Sequence, residues 1–101
     1  MQLPPGVHIK EKSWVAKLAA RKLNSSNVAI VFGNTIHLHG VNSTYFLSQN
    51  NWVKHELKHV EQYRRYGYWK FLFAYLAEWL RKGYYNNRFE EEARSAENMP
   101  D

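Results

Sequence analysis

Along residues 10–23 apolar side chains return at helical spacing. Trp14, Val15, Leu18, Ala19 and Leu23 recur on one side, and Lys12, Lys17, Arg21 and Lys22 lie largely on the other. The stretch predicts a helix, ended by the polar run Asn24-Ser25-Ser26-Asn27. The period then changes. Residues 28–32 (VAIVF) and 35–41 (TIHLHGV) flank Gly33-Asn34 and predict a hairpin closed by a tight turn. In the second run Ile36 and Leu38 face one way and Thr35, His37 and His39 the other, as in a half-buried strand with a polar outer face. Residues 42–48 (NSTYFLS) read as a short third strand or as a lead into the next helix.

Helical period returns over residues 52–66 (WVKHELKHVEQYRRY), with N-caps on offer at Gln49-Asn50-Asn51 and a stop at Gly67. Its apolar side is Val53, Leu57, Val60 and Trp52, while His55, Glu56, His59 and Tyr63 share another face. Residues 68–85 carry Tyr68, Trp69, Phe71, Phe73, Tyr75 and Trp79 with Leu72, Leu76 and Leu80, a stripe read as a core helix that Gly83 terminates. After the connector Tyr84-Tyr85-Asn86-Asn87, a last helix over 88–98 contains Glu90-Glu91-Glu92-Ala93, and residues 99–101 form a loose tail. Helices mixed with a small sheet in 101 residues predict one α+β domain over the whole chain.

The chemistry lies in His55-Glu56-Leu57-Lys58-His59. On a helix the two histidines sit one turn apart on one face, with Glu56 beside them. Two imidazoles so spaced grip one zinc ion, and the adjacent glutamate can take a proton from a water that the zinc activates. A catalytic zinc needs a third protein ligand. Motifs that supply it as a histidine at position 65, with glycine at 62, are excluded, because the sequence has Arg65 and Gln62. The well-placed later acids are Glu78, inside the aromatic stretch, and Glu90, Glu91, Glu92 and Glu97. A set of two histidines and one glutamate fits. On a helical wheel Phe89, Ala93 and Ala96 set the inward face, Glu92 lies nearer to it than Glu90, and Glu91 points away. A purely structural reading stands beside this one. Asn87 and Glu90 have the spacing of a capping box, and acids in a first turn complement the helix dipole.

Composition narrows the chemistry further. With no cysteine, any metal rests on histidine or carboxylate. The net charge of +5 and pI near 9.6 come from scattered basic residues, which read as solvated surface. The aromatics fall at core spacing and no nucleic-acid motif is present, so no nucleic-acid partner is expected. The opening MQLPPGVHIKEK has no apolar run before its charges, hence no secretory signal and an expected cytoplasmic location. The run 71–80 (FLFAYLAEWL) is too short for a membrane span, which leaves an interfacial helix as its membrane reading.

HELKHVEQYRRYG, the aromatic stretch and GYYNNRFEEEA together resemble the small gluzincin-type metallopeptidases, or minigluzincins. They are also similar to bacterial domains in which HELxHVxQ is followed by N-x-x-E-x-E-A. The likeness covers roughly residues 35–97. It implies a minimal zincin-like domain: an N-terminal helix, a twisted sheet of two or three strands, an active-site helix under it and a later glutamate helix. It implies Zn2+ on His55 and His59, with Glu56 as general base. A gluzincin ligand glutamate is followed three residues later by a small residue, which points to Glu90 with Ala93; Glu92 with Ser95 is the runner-up. The resemblance also puts the strand carrying Thr35, His37 and His39 at the rim of the cleft, where an extended peptide would pair with its free edge. Arg94 stands where many gluzincins have an acid that orients a histidine, so that role passes to Glu97 or a backbone carbonyl. Tyr84, Tyr85 and Tyr63 are the candidates for donating to an oxyanion. The expected function is hydrolysis of a peptide or protein substrate. The alternative is a non-catalytic or latent module of the same fold, with or without zinc, in which residues 1–12 or 99–101 lie over the metal.

Overall fold

The sheet is built around a hairpin. In the structure, a computed structural model that describes residues 2–100, β1 (His8–Lys10) precedes helix α1 (Trp14–Leu23). Strands β2 (Val28–Phe32) and β3 (Thr35–His39) follow, paired antiparallel with Phe32 opposite Thr35. Gly33 supplies the positive φ of 63° that the two-residue turn requires. β1 pairs parallel on the other side of β3, so the order is β1-β3-β2. The third strand is therefore residues 8–10 and not 42–48. The latter region forms α2 (Ser43–Ser48), because the Asn42 side chain accepts from the Tyr45 N–H and Glu11 accepts from both the N–H and the hydroxyl of Ser43. β3 stops at His39, two residues short of the sequence pattern. Gly40 turns away with φ 83°, where a Cβ would lie 2.0 Å from the Ser26 carbonyl oxygen.

α1 begins at Trp14 because Ser13 caps it, its hydroxyl accepting from the Ala16 N–H. Its packing face is also not the one the pattern picks. Ala16 and Ala20 are buried, whereas Trp14 is 69 % exposed and Leu18 and Leu23 also reach solvent. The alanines bring the helix close to β2 and β3, and the bulkier side chains are turned outward. α1 covers the face bearing Thr35, His37 and His39, with the Ser13 hydroxyl 2.8 Å from Nδ1 of His37. That face is half-buried under a helix and is not a polar exterior.

On the opposite face Ile36 and Leu38 enter the main core with Val31, Phe46, Val53, Val60, Tyr63, Phe71 and Phe89. Apart from Val31 of β2, these partners come from α2 and from α3 (Asn50–Tyr66), α4 (Tyr68–Lys82) and α5 (Arg88–Ala96). Phe46 and Phe71 are almost wholly enclosed, and each contributes roughly 2 kcal/mol of burial. The aromatic stripe of α4 divides. Phe71 is buried, with Leu72, Ala74 and Tyr75 packed against the core, but Trp69, Phe73 and Leu80 face solvent. The chain is thus an α+β fold of five helices on a three-stranded sheet, and no helix among the described residues is long and apolar enough to cross a membrane.

Candidate metal centre

The 17-residue α3 runs beneath β2 and packs against both α4 and α5. Its i, i+4 spacing puts His55 and His59 on one side, with ring centroids 5.2 Å apart. α5 supplies the third group. It starts at Asn87, whose side-chain oxygen accepts from the Phe89 N–H and whose amide nitrogen donates to the Tyr75 carbonyl of α4. Asn87 is therefore a helix cap, as its sequence position implies, but Glu90 does not complete a capping box. One oxygen of Glu90 lies 2.9 Å from Nε2 of His55 and 3.1 Å from Nε2 of His59. A ligand atom from each of the three residues lies within 4.8 Å of the other two, and His55, His59 and Glu90 are the one such group among the described residues.

The surrounding contacts determine which atoms face inward. Nδ1 of His55 is 2.8 Å from a Glu97 carboxylate oxygen, and Nδ1 of His59 is 2.8 Å from the Gln62 side-chain oxygen. The Gln62 amide nitrogen donates to the Phe89 carbonyl and to Glu92, which fixes the side chain with its oxygen toward His59. An acceptor at Nδ1 makes that nitrogen the donor, and so directs the Nε2 atoms at the shared point. Glu97 takes the place of the acid missing at Arg94, which instead donates to the Tyr85 carbonyl and lies over the Tyr85 ring. Glu92 is held outside by Gln62 and Arg65. The helical wheel preferred Glu92; the geometry brings Glu90 to the histidines.

The electrostatics follow from enclosure. Burial pushes the Glu56 carboxyl up to about 7, against the opposing pull of His59 and His55. Burial also disfavours a charged His55, but the Glu90 hydrogen bond, the Glu56 charge and Glu97 outweigh it and raise His55 to about 9. His59 is raised for the same reasons, burial again opposing the Glu90 contact. Glu90 resists its own burial through His55 and His59 and stays well below the usual carboxylate range. Without a cation, protons on the imidazoles balance the Glu90 carboxylate.

Tyr75 is a site residue that the sequence pattern assigned to the core. Its hydroxyl donates to the second oxygen of Glu90, and its ring lies edge-on to His59. Nothing in the aromatic stripe singled it out. Among the proposed tyrosines, Tyr84 borders the cleft beside His55 and Glu56, and burial with the charges of Glu90 and Glu56 keeps its phenol protonated. Tyr63 packs between Tyr68 and Phe71 in the core, and the 70 % exposed Tyr85 is engaged with Arg94. The cleft, a cavity of about 190 Å³, follows β2 past Ala29, Val31 and Phe32 to His55, Glu56 and His59.

No family model, no curated protein and no solved structure matches the chain. The site must therefore be read from its own atoms. A divalent cation fits it. Two imidazole nitrogens and a carboxylate oxygen converge, each is oriented from behind, and a cation there would replace the imidazole protons that the Glu90 carboxylate otherwise draws.

Two sequence expectations change here. β3 has neighbours on both sides, so Thr35, His37 and His39 do not form a rim with a free edge. The edge strand on the cleft is β2. Across the hairpin the pairs Phe32/Thr35, Ile30/His37 and Val28/His39 hydrogen bond, which turns the N–H and C=O groups of Ala29 and Val31 outward. The N-terminal arm is committed to the sheet as β1, and the Met99 carbonyl accepts from Lys54, so the described parts of both arms are held by other contacts. Met1 and Asp101 lie outside the described residues.

Proposed function

We propose that the chain is a zinc-dependent peptidase with a minimal zincin-like arrangement. The observation that supports this reading most is the convergence of both Nε2 atoms on one Glu90 oxygen, with Glu56 buried alongside. His55, His59 and Glu90 would hold the ion, and zinc so held supplies a Lewis acid that makes water a nucleophile near neutral pH.

The remaining work falls to the protein's own groups. Glu56, buried beside the two histidines on the cleft wall, takes a proton from water and returns it to the leaving amine. Tyr84, kept protonated, is the donor for the oxyanion. An extended substrate adds to the sheet along β2, pairing with the outward N–H and C=O groups of Ala29 and Val31. Enclosure by Val31, Phe71 and Tyr75 keeps bulk water from the reacting carbonyl.

Replacing Glu56 tests the reading. Zinc-loaded Glu56→Ala should cleave a peptide library at least 10²-fold more slowly than wild type while zinc stays near one per chain. Unchanged cleavage sinks the mechanism. Wild type that binds zinc and cleaves nothing is instead a binding module of the same fold.

A further inference from the structure

Three apolar side chains of α4 face away from the protein, Trp69 at 66 % exposed, Phe73 at 64 % and Leu80 at 81 %, and Leu76, 39 % exposed, sits between them and the cleft. Their spacing puts them in one stripe along the helix. Together they present roughly 500 Å² of apolar surface, the size of patch that marks an interaction site on a monomer. Cations border it. Lys70 and Arg81 lie along one flank of α4, and neither has an acidic partner among the described residues. Lys22 of α1 lines the cleft that Leu76 also lines. The one acid of α4, Glu78, is buried and paired with Lys82.

This charge pattern selects the occupant. A second copy laid antiparallel on the stripe sets Lys70 against Arg81. The patch also falls short of the ~800 Å² per partner that a stable dimer buries. An anionic lipid surface meets both the apolar stripe and its basic border.

We propose that α4 docks the protein on an anionic membrane surface. Trp69, Phe73, Leu76 and Leu80 enter the boundary between headgroups and acyl chains, and Lys70, Arg81 and Lys22 meet the lipid phosphates. Because Leu76 belongs both to the stripe and to the cleft wall, docking holds the mouth of the cleft against the bilayer. The proposal is independent of the metal chemistry.

Co-sedimentation of the full chain with phosphatidylcholine vesicles, with and without phosphatidylglycerol, tests it. Binding is expected to vesicles containing phosphatidylglycerol and to fall as salt rises. The Trp69→Ser/Phe73→Ser variant, altered only at exposed positions, should lose binding with an unchanged circular dichroism spectrum. The Lys70→Glu/Arg81→Glu variant should bind at least roughly thirtyfold more weakly. Three outcomes overturn the proposal: no partition into anionic vesicles, equal partition into neutral ones, or binding that survives the Trp69→Ser/Phe73→Ser change. A concentration-dependent dimer that the same variant abolishes would reassign the stripe to a second copy.

Discussion

Gln62 shows how much one side chain can decide. Its oxygen accepts from Nδ1 of His59 while its amide nitrogen is committed to Phe89 and Glu92, so it cannot flip without losing those bonds. In Gln62→Leu the imidazole keeps its packing but loses the acceptor that orients it. Zinc affinity should fall 10–100-fold in a competition titration with a chromophoric chelator, and unchanged affinity would remove Gln62 from the site. The resemblance to HELxHVxQ domains includes Gln62 as a motif position, but its bond to His59 is visible only in the fold. His55, Glu56 and His59 were legible because helical geometry alone places them together. Glu90 was harder. A wheel centred on Phe89, Ala93 and Ala96 assumes that α5 faces the core alone, but α5 also packs on α3, and that neighbour draws Glu90 and Glu97 inward while Glu92 stays at the edge.

At the scale of elements, the site depends on how α5 is joined to α4. Asn87 is fully buried, and its two side-chain ends cap one helix and tie down the other. Asn87→Ala removes both the cap and the second hydrogen bond to the Tyr75 carbonyl, at a cost of about 2 kcal/mol. Thermal unfolding should show a melting point roughly 8–16 °C lower, and a loss under about 2 °C would mean that the junction is not what holds α5. Element types were mostly readable from period, since α3, α4, α5 and the β2–β3 hairpin all carry local patterns. β1 was not readable. It has three residues, no repeat of its own, and exists only through pairing with residues far along the chain. The packing face of α1 was misjudged for a related reason: hydrophobicity favoured Trp14 and Leu18, but close approach to the sheet favoured Ala16 and Ala20.

For the molecule as a whole, the buried charges predict a pH dependence that metal should change. In the metal-free protein His55 is raised to about 9 from an ordinary 6.5, so its contribution is complete below pH 6.5 and is lost as pH climbs through 9. Glu56 is raised to about 7 from 4.5, so the cost of ionising it in the interior develops over that interval. Glu90 is lowered, and its contribution disappears only in acid, below 4.5. Chelated protein should therefore melt at a lower temperature at pH 8.5 than at pH 6, by about 10 °C. Zinc binds deprotonated imidazole, so the rise in melting point on adding zinc should be larger at pH 8.5 than at pH 6. Melting curves at the two pH values, with zinc and with chelator, check both signs; a zinc increment that shrinks with pH would contradict this electrostatic account.

Zinc is proposed to rest on His55, His59 and Glu90. Metal analysis after exhaustive dialysis tests it most directly, on wild type beside His59→Ala, Glu90→Ala and Glu92→Ala. Near one zinc per chain is expected in wild type and Glu92→Ala, and close to none in His59→Ala and Glu90→Ala. Zinc retained without Glu90, or lost without Glu92, would contradict the assignment.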